Sequence, residues 1–258
     1  MLGKLMKYEL QASAKTFLPL YGVLLLFALV NRLLFNFSFG ALQGIAITIY
    51  FGLMVAIAVL TIIVSIQRFY KTLLTEEGYL MFTLPVKTWQ LVISRLFTAM
   101  IWVIGSGIVV LSSILIINTR PEMYQTFFSI WHEVIQQASI QGINIYSLGI
   151  EGILLLFLNM TSNILLIYTA IAIGHLFQQK QVLASFGAYM GIIVVIQAIA
   201  SLIVAILAPL NFGLYLKTLS IPIITYGTGI VFIIVIIIWS FCLFALTTYI
   251  LNKRLNLN

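Results

Sequence analysis

The chain contains no aspartate, and its six acidic residues are all glutamates. An acid buried in a membrane is costly and normally marks a proton or ion path. Only Glu151 falls at the edge of an apolar run, whereas Glu9, Glu76, Glu77, Glu122 and Glu133 lie in more polar stretches. A proton-coupled carrier or a carboxylate enzyme acting inside the bilayer would therefore be short of parts. Adjacent Glu76 and Glu77 hint at a membrane glutamate protease, but that chemistry wants an arginine four residues on, where Met81 stands. One cysteine, Cys242, excludes a disulfide framework or thiolate cluster. No G-x-x-x-x-G-K-[ST] loop occurs, so no P-loop holds ATP here. The two histidines, His132 and His175, fall on opposite membrane faces in the topology derived below, too far apart to share a metal, and no metal site is expected.

Charge as a whole is scarce, at 7% of residues, against 62% hydrophobic ones and a mean hydropathy of +1.16. A soluble domain carries about 25% charge. Runs of about 18 or more residues with almost no charge match the length a helix needs to cross a hydrocarbon core of about 30 Å. Segments such as Ile230 to Trp239 do not alternate as barrel strands do. The fold class expected is all-α, a polytopic membrane protein with six spans: about 17–35, 42–66, 96–117, 148–174, 182–207 and 226–251. Lys4 and Lys7 precede an apolar run as in a signal peptide, but no clean small-residue cleavage site follows, and the segment is read as retained.

At 100° per residue Lys4, Lys7, Gln11 and Lys15 share a narrow arc opposite Leu2, Leu5, Met6, Leu10 and Ala12. Residues 1–16 are therefore expected to form an interfacial amphipathic helix with its lysines available to lipid phosphates. Residues 67–95 form a polar segment with Gly78 and Pro85 as breakers, and 118–147 a second one, partly along the membrane surface. Six spans place both termini on one face. That face carries Lys4, Lys7, Lys15, Arg68, Lys71, Lys87, Arg95, Lys180, Lys253 and Arg254, whereas the other has Arg32, Arg120 and Lys217. The bias makes the termini and 67–95 cytoplasmic and 118–147 external. The net charge of +7 is spread over loops and helix ends rather than gathered with aromatics, so nucleic acid is not an expected partner.

Glu9 projects into the apolar arc of the N-terminal helix. It either pairs with a base of the 67–95 segment, with Arg68, Lys71 and Arg95 as candidates, or lies at the surface as a snorkelling acid. In the fourth span Glu151, Asn159, Ser162, Asn163 and Thr169 fall within about a third of the helix circumference. Such a face meets either another helix, through interhelical hydrogen bonds, or a hydrated translocation path. Gly187 and Gly191 have the four-residue spacing of small-residue helix contacts.

The sequence MLGKLMKYEL, a first span, a tight hairpin, and then EEGYLMFTLPVKTWQLVISR ahead of the third span resemble the permease subunits of bacterial ATP-binding-cassette transporters of the ABC-2 type. The likeness is strongest over residues 1–35 and 67–100. It implies a multi-pass protein of the bacterial plasma membrane, an ATP-driven exporter's translocation subunit. The partners implied are separate ATPase subunits that bind the ATP and Mg, and a second permease subunit, identical or paralogous, so this chain itself is not expected to be an enzyme. The first 16 residues, with Lys4, Lys7 and Glu9, would be the elbow helix. A coupling helix seated in an ATPase groove would fall within 67–84, where Phe69, Tyr70, Leu73, Leu74, Glu76, Glu77 and Gly78 are the expected contacts. A solvated connector is the competing reading of that loop. The substrate class implied is amphipathic or apolar, such as an antimicrobial peptide or drug. The competing function is a membrane scaffold or immunity protein that binds its target without transport.

Overall fold

The computed structural model of the chain describes residues 2–37, 40–73, 88–118, 121–177, 180–207 and 220–253. Among the described residues the regular structure is helical throughout: α1 (Leu2–Phe37), α2 (Gly40–Leu73), α3 (Thr88–Ile117), α4 (Pro121–Ile140), α5 (Ile145–Gly174), α6 (Gln181–Leu207) and α7 (Ile221–Lys253). All but α4 are long and apolar enough to cross a bilayer, so the chain is an all-α polytopic membrane fold with six candidate spans. The side chains they expose are largely apolar, as on α6 (Val194, Leu202, Val204) and α7 (Val231, Phe232, Phe241). Water would not tolerate that surface, whereas lipid does.

Three helices differ from expectation in their ends. α1 runs from Leu2 to Phe37 without a break, so residues 2–16 of the expected elbow continue directly into the first spanning helix and do not form a separate element. Pro19 lies inside α1 and does not end it. α2 continues past residue 66 to Leu73, and α3 starts at Thr88, not near 96. In each case charge appears where the chain leaves the apolar layer while the backbone goes on as helix. At 1.5 Å per residue, α1 is about 54 Å long, well over a hydrocarbon core of about 30 Å.

The polar stretch after α3 forms α4, entered at Pro121, the position where a missing N–H is harmless. Tyr124, Phe127, Phe128, Trp131 and Val134 share one side of α4 and are exposed, opposite Glu133 and Gln136. That is the pattern of a helix lying in an interface. α4 closes in a Schellman turn: Ile143 N–H donates to Ala138 O (2.8 Å), Gly142 N–H donates to Ser139 O (3.0 Å), and Gly142 takes φ +72°. Asn144 then caps α5, its side chain accepting from Tyr146 N–H at 3.0 Å.

The chain divides into two compact units, residues 1–128 and 129–258. In the first, α1 packs on both α2 and α3. Glu9 meets Arg95, Phe17 stacks on Trp102 with ring centroids 4.5 Å apart, and Tyr21 reaches Ser106 at 2.7 Å. Numbers rise together along the two helices, so α1 and α3 run parallel. α2 runs antiparallel to α3, Tyr50 pairing with Ser113 (2.8 Å) and Thr61 with Ser106 (2.9 Å). Phe17, Tyr21, Leu24, Ala28, Tyr50 and Ile57 form this unit's core.

The second unit packs α5 against α6 and α7. Asn144 pairs with Tyr226, and Thr169 with Thr247 at 2.8 Å, so α5 and α7 are also parallel.

Candidate functional site

The most unusual chemistry in the first unit is an ion pair. Glu9 and Arg95 are 6% and 3% exposed and form a salt bridge between α1 and α3. Of the three bases considered for Glu9, the structure selects Arg95. An unpaired carboxylate at that site would be prohibitive, and pairing is what makes its burial tolerable. Ser13, one turn on, is fully buried and donates to Glu9 O at 3.0 Å. The pair therefore fastens the first helix to the helix that emerges from the 74–87 segment.

The expected coupling residues separate into three groups. Phe69 is completely buried, so it belongs to the interior of the first unit and is not available as a docking contact. Its place on α2, which stays helical to Leu73, turns it inward. Tyr70 and Arg68 are half-buried on the same final turns. Leu73 closes α2, and Leu74, Glu76, Glu77 and Gly78 lie outside the described residues. On α1 Lys7 is exposed and Lys4 occupies the first turn.

The polar stripe of α5 divides. At 100° per residue Glu151, Ser162 and Thr169 share nearly one line, with Asn159 and Asn163 to one side. Thr169 is fully buried, donates to Leu165 O (2.8 Å) and shares a hydrogen bond with Thr247 on α7 (2.8 Å). Glu151 lies against Gly229 of α7, where an added methyl would collide with its carboxylate. These positions serve helix packing. Asn159 and Asn163 are exposed instead, and Asn163 Nδ2 donates to Asn159 O at 2.8 Å and to its Oδ1 at 2.6 Å along the same helix.

Several packing residues were not anticipated. Tyr21, Thr61 and Ser106 make a buried three-helix hydrogen-bonded cluster, and Asn31 Nδ2 donates across to Ala46 O at 3.1 Å. The available signal was the same as for α5, isolated polar residues inside apolar spans. Gly187 and Gly191 face open space, while Gly174 abuts the Ser185 backbone where α5 gives way to α6. His175 follows Gly174 as the C-cap of α5. Burial lowers its imidazole pKa below the ordinary value, and a hydrogen bond with Gln181 opposes the shift.

Among the described residues no three histidines, cysteines or acids assemble as a metal site. Comparison of the chain with protein-family models, curated proteins and solved structures yields no match.

Proposed function

We propose that the chain is the membrane-spanning subunit of an ATP-driven exporter of the ABC-2 type, seated in a bacterial plasma membrane with both termini cytoplasmic. In this reading ATP and Mg bind to separate ATPase subunits, a second permease subunit completes the path, and an amphipathic or apolar substrate is moved. Support comes from the six apolar helices, from the scarcity of acids that an ion-driven mechanism would require, and from the resemblance over residues 1–35 and 67–100.

The observation that carries the proposal is the buried Glu9–Arg95 pair. A permease needs a stiff connection between the segment an ATPase pushes and the helices that line the path. Arg95 stands on α3 a few residues after that segment, and its partner is on α1, 86 positions earlier. Displacement of 74–87 would be passed to α1 through this joint and through the α1–α3 packing beneath it.

The test is a mild-detergent pull-down of the tagged chain from its native membrane. The native chain is expected to retain an ATP-binding-cassette ATPase, and Glu77→Lys and Gly78→Pro to lose it. If no ATPase is retained where other transporter complexes survive, the transporter proposal fails and a non-transporting membrane protein takes its place.

A further inference from the structure

A groove of about 610 Å³ runs between the N-terminal turns of α1 and the middle of α3. Its size lies within the range of ordinary small-ligand sites. On α1 it follows Lys7, Leu10 and Ala14, a spacing of three and four that keeps them on one helix face. Met6 adds to the apolar wall, Gln11 is a second polar group, and Trp102 closes the other side. Trp102 is held in place by its stack on Phe17.

Lys7 is the one charged residue of this lining, and it is exposed. The nearest acid on α1, Glu9, is already engaged by Arg95. The groove is thus apolar over most of its surface and cationic at one end, a combination that fits an anionic amphiphile. From Lys7 to Ala14 the helix advances about 10 Å. An interfacial layer is roughly 5–8 Å thick on each side of the hydrocarbon core, so such a groove passes from headgroup level into the acyl region. On α1 it lies along the basic N-terminal turns, just ahead of the apolar run that follows Lys15.

We propose that this groove binds an anionic phospholipid of the surrounding bilayer, its phosphate at the Lys7 ammonium and one acyl chain along Met6, Leu10 and Ala14 toward Trp102. The proposal rests on the membrane fold and does not depend on the transporter reading. The lipid is a resident ligand that packs the α1–α3 cleft beside the Glu9–Arg95 pair, distinct from bulk lipid in being selected by headgroup charge.

Trp102 supplies the measurement. The full chain with Trp89→Phe, Trp131→Phe and Trp239→Phe, reconstituted into vesicles, reports quenching by brominated acyl chains at one indole. Brominated phosphatidylglycerol is expected to quench Trp102 at an about fivefold lower mole fraction than brominated phosphatidylcholine, the preference one lysine near a membrane surface provides. Lys7→Gln should abolish that preference and Lys7→Arg should keep it. Lys180→Gln removes the same charge elsewhere on the chain and should leave the preference intact. Ala14→Phe fills the groove and should weaken quenching by both lipids. Equal quenching by the two lipids in the Lys7 protein would overturn the proposal, as would equal losses with Lys7→Gln and Lys180→Gln. Absence of quenching by either lipid would assign the groove to a protein segment and overturn it equally.

Discussion

A methyl group at position 174 has nowhere to go, because it would meet Ser185 Oγ and, just behind it, the backbone N and Cα of the same residue. Backbone cannot swing aside as a long side chain can, so α5 and α6 would have to separate at their junction. Gly174→Ala is expected to destabilise the protein by about 1–3 kcal/mol, the usual penalty of overpacking. Gly187→Ala, on α6 in open space, should be neutral or slightly stabilising through better helix propensity. Thermal unfolding in detergent distinguishes the two, and equal midpoints would refute the close-packing account. The four-residue spacing in the sequence favoured Gly187 and Gly191 over Gly174 because spacing on one helix carries no information about what lies opposite. Glu9 was more legible. A carboxylate among apolar positions either finds a cation or snorkels to the surface, and the sequence offered three bases for the first case, leaving the fold to select burial against Arg95.

At the scale of elements, the Glu9–Arg95 bridge joins two parallel helices whose other contacts include a stacked ring pair and the Tyr21–Ser106 hydrogen bond. Removing one partner leaves the other charge buried without its counter-ion in this bridge. Glu9→Gln or Arg95→Met alone is expected to cost about 3–5 kcal/mol. The exchange Glu9→Arg with Arg95→Glu should recover a substantial part of that loss, which a double-mutant cycle reads as non-additivity. Additive losses would mean that the two side chains act separately and that α1 and α3 are held by the ring stack, the Tyr21–Ser106 hydrogen bond and apolar packing instead. The existence and order of the spans were plain in the sequence because long uncharged runs have few other readings. Their ends were not, since hydropathy marks where the chain leaves lipid and not where its hydrogen-bonded ladder stops. Hence α1 absorbs the expected elbow and α2 carries Phe69 inward, two outcomes decided by helix continuation and packing that local polarity does not encode.

On the scale of the whole molecule, the distribution of basic residues and the helix order make one joint claim. Tyr8 stands at the start of the first candidate span (Met6–Leu34) and Gln141 follows the third (Thr88–Ile117), so a six-span topology predicts that the two positions face opposite sides of the membrane. The excess of lysine and arginine on the termini's face predicts that Tyr8 is cytoplasmic, because basic loops resist translocation. In a Cys242→Ser background, Gln141→Cys is expected to react with a membrane-impermeant maleimide in intact cells. Tyr8→Cys, on an exposed part of α1, should react only after permeabilisation. The reverse pattern would place residues 67–95 outside the cell, beyond any cytoplasmic ATPase, and the exporter proposal would fall with the orientation. Labelling of both positions in intact cells would mean that α1, α2 or α3 does not cross. The buried hydrogen-bonded cluster joining Tyr21, Thr61 and Ser106 argues against that outcome, because those residues lie on all three helices and hold them side by side along their apolar length.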